Sequence, residues 1–216
     1  MTNSDASAPR RGYRSPRRDA QARSTRLAIL DAAERLFLDA GYNGTTIAAI
    51  AAAAEVGQAT VYAGFGSKRA VLEAVMDRRI VGDDESVALD DRPEVQATLA
   101  DFDLGSRVSQ HASIHRAAMD RLRPILEITT AVDSDVAELS HVYNERRRES
   151  VRYHQEAMVE AGLLPADVDR RELHDVTAAL LSPELYLALV RDCGWTSDRY
   201  QAWLTRLLIA AASPPG

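Results

Sequence analysis

The sequence predicts an all-α fold, a small three-helix unit near the N-terminus followed by a larger helical domain. Three observations carry this. Apolar residues recur at i, i+3, i+4 and i+7 along most of the 216-residue chain, the period of a helix with one buried face. No useful stretch alternates as a half-buried strand would, and no internal repeat is present. Where the period breaks, Gly, Pro or a capping Ser, Thr or Asp stands at the break.

In chain order, residues 1–22 are rich in Arg, Ser, Ala and Pro without an apolar period, and read as a disordered basic arm. Ile29, Ala33, Leu36, Phe37 and Ala40 form one face of a first helix, which Gly41 should stop. Thr45 and Thr46 can both cap a second helix with Ile47, Ile50, Ala51 and Ala54 inward. Glu55-Val56-Gly57 breaks it, and a third short helix runs from Gln58 to about Gly64. Ser67 caps a fourth, whose buried stripe is Val71, Leu72, Val75 and Met76.

The acidic segment from Gly82 to Pro93 reads as a linker, and Pro93 suits the first turn of a helix. Ser106 can cap a long helix carrying Val108, Ala112, His115, Met119, Leu122 and Leu126, which Pro124 should kink. Asp135 and Glu138 resemble a capping box for the next helix, which ends at Gly162. Another begins near Asp169, is interrupted at Ser182-Pro183 and stops at Gly194. Thr196 or Ser197 opens the last.

Charge separates the two parts. Residues 1–80 hold 12 Lys/Arg against 8 Asp/Glu, whereas residues 81–216 hold 14 against 24. The first part therefore suits an anionic partner and the second a different task. No apolar run reaches the roughly 18–20 residues of a membrane span, and the early arginines have no apolar segment behind them. The lone Cys193 permits no intramolecular disulfide and reads as a buried structural thiol. The expected setting is a reducing cytoplasm, without a membrane partner.

Two short helices across a tight turn, resting on a third, have the plan of a helix-turn-helix. Small apolar residues are needed where the helices cross, and Ala51, Ala54 and Val61 supply them. The outer face of the third helix offers Gln58, Ala59, Thr60, Ala63 and Gly64. Gln can pair bidentately with adenine, and Thr or Ala methyls can touch thymine. Thr46, Tyr62 and Lys68 can donate to phosphates. From spacing alone a second arrangement stays open, in which three small helices merely cap a larger domain and Tyr62 is packed.

The stretch Thr25-Arg26, Ile29-Leu30-Asp31-Ala32-Ala33, Leu36-Phe37, Gly41-Tyr42, Thr45-Thr46, Ile50-Ala51, Ala54, Val56, Thr60-Val61-Tyr62, Phe65 and Ser67-Lys68 resembles the N-terminal domain of the tetracycline-repressor (TetR) family. The resemblance implies a homodimeric regulator of double-stranded operator DNA. A helix-turn-helix domain over 23–68 would precede a helical domain over 69–216 that dimerises and binds a small-molecule effector, whose binding releases the operator. By position it gives Thr46, Tyr62 and Lys68 phosphate contacts, and Gln58, Ala59 and Thr60 the base-facing surface. Two residues depart from the pattern. Glu55 stands where the family has glycine, which costs about 1–2 kcal/mol if the left-handed conformation is kept. Gly57 replaces a capping serine.

Farther on, the Val81-Gly82-Asp83-Asp84-Glu85 run, Asp91-Arg92-Pro93, Ser182-Pro183-Glu184-Leu185-Tyr186 and Gly194-Trp195 resemble a branch of the family common in actinobacteria. For an effector pocket the inward residues of the second domain are the candidates: His111, His115, Met119, Arg123, Tyr143 and Tyr186. Leu180, Leu185, Leu189, Trp203, Leu207 and Leu208 exceed what one hairpin buries, so pairing two hairpins into a four-helix bundle is the expected dimer interface. Arg146-Arg147-Arg148 between Glu145 and Glu149 reads as a solvated face. His111 and His115 are four apart, but no further ligand has a telling spacing, so no metal is expected. Neither a nucleophile–base pair nor a phosphate loop is present. The chain is not expected to be an enzyme or to hold a cofactor.

Overall fold

The computed structural model describes residues 16–83, 87, 89–129 and 134–213. Among them every regular element is helical. The first, α1 (Pro16–Gly44), bends at Gly41, whose φ of 71° and ψ of 172° are accessible essentially to glycine alone. The helix-turn-helix follows as α2 (Ile47–Ala53) and α3 (Gln58–Phe65), and α4 (Lys68–Val81) leads into the remaining helices. Past a short 3₁₀ turn (Leu89–Asp91) come α5 (Pro93–Leu99), α6 (Leu104–Thr129) and α7 (Ser134–Glu160). The chain closes with α8 (Arg170–Leu180), α9 (Pro183–Leu187) running into a π turn (Ala188–Asp192), and α10 (Ser197–Ala212).

Most boundaries are set by caps. Thr46, Ser67, Ser182 and Thr196 each accept a backbone N–H three residues on, and Asp169 accepts two. Thr45 does not cap α2; its hydroxyl is shared by the carbonyls of Leu36 and Gly41, freed where α1 bends. Phe37, Ile50, Val61, Val71, Leu72 and Val75 are fully buried and tie α1 to α4 into one small core. α6 is the spine of the remainder, with α10, α4, α1 and α5 packed along it. Tyr186, Tyr200, Leu204 and Ile125 fill the core where α9 and α10 meet it.

Several expectations are corrected. The disordered arm falls outside the described residues for 1–15, as do Asp84 and Glu85 of the linker, but residues 16–22 are helical. Pro16 is tolerated in a first turn, and the Arg, Ala and Gln that follow are good helix formers that need no buried face while projecting past the core. Asp103, not Ser106, caps α6, its carboxylate accepting the Ser106 N–H at 2.7 Å. The same helix runs unbroken through Pro124. One turn before the proline, Arg79 of α4 donates to the Arg121 carbonyl. Asp135 and Glu138 lie inside α7, and their carboxylates are engaged by Tyr42 and Arg69. Cys193 is exposed rather than buried.

Candidate functional site

The outer surface of the helix-turn-helix follows from one buried residue. Val61 is completely enclosed, which turns Gln58, Ala59, Thr60, Tyr62, Ala63 and Gly64 outward along α3. Tyr62 is 52% exposed, a large aromatic held on the surface. Thr46 is exposed at the start of α2 while its hydroxyl oxygen accepts the Ala49 N–H at 3.1 Å. The turn between α2 and α3 keeps the left-handed conformation at Glu55, with φ of 55°. Two hydrogen bonds close it, from the Glu55 N–H to Ala52 and from the Val56 N–H to Ala51, so α2 ends in a Schellman motif.

Lys68 is partly committed to the scaffold. Its ammonium donates to the Tyr42 carbonyl at 2.9 Å and lies 4.0 Å from the Tyr42 ring centre, leaving further N–H donors for a phosphate. Tyr42 in turn donates its hydroxyl to Asp135 at 2.7 Å. Farther along the same seam, Arg69 pairs with Glu138, and Arg146 with Glu73 and Asp77. Tyr143 also donates to Asp77, and burial, followed by the Asp77 charge, pushes its hydroxyl well above the ordinary tyrosine range.

Beneath that seam lies a cavity of about 1090 Å³ walled by α1, α4, α6 and α7. His111, His115 and Met119 of α6 and Tyr143 of α7 line it, bringing four of the sequence-predicted pocket residues together. Arg123 and Tyr186 are not among its lining residues. Arg123 stands half-exposed beside Glu127, and Tyr186 is buried between α6 and α10, with its hydroxyl on Asp120. Burial and the Asp120 hydrogen bond push the Tyr186 hydroxyl up to about 12. Burial lowers His111 to about 3 and His115 to about 4, with neighbouring positive groups adding to the effect, so both rings are neutral. Asp90 sits lower than usual because hydrogen bonds from His154 and Ser150 outweigh its burial.

Arg147, His154 and Asp90 are among the lining residues that the sequence reading did not assign to the pocket. Within Arg146-Arg147-Arg148 only the outer two are surface residues, with Arg148 on Asp175. Arg147 turns inward, its Nε buried without a hydrogen-bond partner. Spacing held the signal, since Tyr143, Arg147, Val151 and His154 fall at i, i+4, i+8 and i+11, one helical face. Among the described residues no cluster of His, Cys, Asp or Glu has a metal-holding geometry, and no single helix is long and apolar enough to cross a membrane.

Residues 29–75 match the family model of the bacterial regulatory proteins of the tetR family. The chain carries a TetR-family DNA-binding domain. Over most of its length the chain has the fold of solved TetR-type structures. The complex of SmeT with triclosan shares 22% identity over 89% of this chain and 93% of that one, with a TM-score of 0.65. A TetR-family regulator from Syntrophomonas wolfei shares 19% over 87% and 94%, at 0.68. NalD, the secondary repressor of the MexAB-OprM multidrug efflux pump in Pseudomonas aeruginosa, shares 20% over 88% and 97%, at 0.62. No curated protein matches the sequence. Regulators of the TetR family bind DNA, and the helix-turn-helix described above is the part of this chain that the family model covers.

Proposed function

We propose that this protein is a homodimeric repressor that leaves a palindromic operator when a small molecule enters the cavity between α1, α4, α6 and α7. The observation that carries the reading is the cavity's position. It is walled on one side by the helices that hold the helix-turn-helix and on the other by the helical domain, so an occupant touches both. The domain division is 23–68 for DNA and 69–216 for effector and dimer, with the cytoplasm as the setting in which operator DNA is met.

On DNA, Gln58, Ala59 and Thr60 read bases, Gly64 allows close approach, and Thr46, Tyr62 and Lys68 hold phosphates. All but Lys68 are exposed, and Lys68 is half-buried with donors to spare. The dimer uses Leu180, Leu185, Leu189 and Trp203, which this chain only half buries, and Leu207, which it exposes. Leu208, by contrast, is spent on the chain's own core. A two-fold pair would set two α3 helices about 34–36 Å apart, one major-groove repeat.

Selection from a random DNA pool, followed by anisotropy titration, tests the reading. A two-fold symmetric site bound in the nanomolar range is expected, with affinity falling when a cavity ligand is added. Recovery of no symmetric site would refute it.

A further inference from the structure

Arg107, in the first turn of α6, is 3% exposed, and neither terminal nitrogen of its guanidinium has a hydrogen-bond partner. Asp101, whose charge attracts it, has its carboxylate on Ser106, Gln110 and the Asp103 N–H. Arg107 borders a small chamber of about 50 Å³, closed by Thr98, His111, His154, Gln155, Met158 and neighbours, with no acidic residue in its walls. A buried guanidinium whose terminal nitrogens make no hydrogen bond is costly, and its planar fork offers paired donors shaped for a carboxylate.

The chamber and the main cavity share His111, Val151 and His154 in their walls. His111 and His154 meet edge to face, ring centres 4.5 Å apart, and both border the two spaces. On the far side, Ile114, Ala118, Met119, Leu122 and Leu181 give the main cavity an apolar lining. At about 50 Å³ the chamber holds less than two of the roughly 30 Å³ volumes that a water occupies in the liquid. It therefore has room for a small planar head and not for a bulky one.

We propose that Arg107 anchors the carboxylate of an amphipathic ligand, with the head in the small chamber and the apolar part in the main cavity beyond His111 and His154. This rests on the reading of the main cavity as the effector site. Recognition by Arg107 would make the effector class a monocarboxylate with an apolar body, selected by charge at one end and by volume at the other.

The test uses the full chain with two probes of matched shape, octanoate and its neutral counterpart octanamide, titrated by calorimetry and followed by operator anisotropy. The wild type is expected to bind octanoate at least about tenfold more tightly than octanamide, as hydrogen bonds to a charged group imply. Arg107→Met should erase that preference, and Arg107→Lys should keep part of it. Free Arg107→Met should melt no lower than the wild type, because methionine keeps the apolar stem and removes buried donors that make no hydrogen bond. A purely structural arginine would instead lower the melting temperature when replaced.

Equal affinity of the wild type for both probes, absence of octanoate binding, or octanoate affinity intact in Arg107→Met would each overturn the anchor. Release of DNA by octanamide and octanoate alike would overturn the anchor and leave the effector reading standing. Binding of octanoate through Arg107 with no change in DNA affinity would do the reverse.

Discussion

At the scale of the residue, Glu55 shows how a local rule can be broken without losing the motif. It is the only non-glycine with positive φ among the described residues, and it sits where a Schellman end demands that conformation. Glu55→Gly should therefore raise stability by roughly 0.5–1 kcal/mol, the left-handed penalty less the extra chain entropy of glycine. Urea unfolding measures this, and an unchanged or lower midpoint would contradict it. Glu55 is not among the residues proposed to contact DNA, so operator affinity should not fall. Tyr62→Ala should instead weaken binding to all sequences by similar factors, whereas Gln58→Ala should change which sequences are selected.

The cavity histidines give a pH prediction of definite sign. His111 and His115 are lowered in the folded chain to about 3 and about 4, against an ordinary value of 6.5. Below pH 6.5 the unfolded state binds protons that the folded state refuses. The stability these rings contribute is present above pH 6.5 and is lost as the pH falls toward 4. The slope is at most about 1.4 kcal/mol per pH unit for each ring. Melting curves of the wild type and of His115→Gln between pH 7 and 5 should converge as the pH falls.

At the scale of the element, helix ends were the most legible feature because they are written in adjacent residues. The caps at Thr46, Ser67, Asp169 and Thr196, the break at Ser182-Pro183 and the stops at Gly162 and Gly194 were readable from short-range chemistry, whereas Gly41 bends α1 instead of ending it. What could not be read was which partner a side chain finds across space. Asp135 and Glu138 have the spacing of a capping box, yet Tyr42 and Arg69 are 93 and 69 residues away in the chain. Arg147 sits in a run of charges that looks solvated, and only the packing of α7 on the cavity turns it inward. Four of six pocket candidates lie in the cavity because helical period reports a face. Arg123 and Tyr186 do not, because period cannot report which of two buried neighbours that face meets.

A joint between elements carries the next prediction. Arg121 of α6 donates to the Arg79 carbonyl at 2.8 Å and to the Ile80 carbonyl at 2.6 Å, closing the C-terminal end of α4. Gly82 makes this possible, since a Cβ there would stand 3.1 Å from the Arg121 Nε. Arg121→Gln should cost about 1–3 kcal/mol by leaving buried carbonyls short of donors. Chemical denaturation measures this, and a loss below experimental error would show the joint to be dispensable.

At the scale of the whole molecule, the proposed function assigns the uneven charge and the half-covered apolar residues of α8–α10 to different partners. Association with DNA should weaken steeply with added salt, because log affinity falls by roughly 0.9 per phosphate neutralised for each tenfold rise. Leu189→Glu together with Leu207→Glu should leave a folded monomer in sedimentation and lower operator affinity by at least tenfold at nanomolar concentration, since two half-sites would no longer be engaged together. A dimer of undiminished stability in that variant would move the interface elsewhere.

The exchange of cations between α4 and α6, Arg121 to α4 and Arg79 to α6, also has a mechanical side. It fixes one end of a 14-residue rod whose other end begins just past α3, the helix proposed to face the bases. At 1.5 Å per residue the rod is about 20 Å long, so a tilt of roughly 5° at its fastened end sweeps the far end through nearly 2 Å. Hydrogen bonds to base edges tolerate only a few tenths of an ångström. A displacement of α6 too small to disturb the packed core would then be amplified into a misfit at the groove, and the molecule would need leverage rather than refolding to let go.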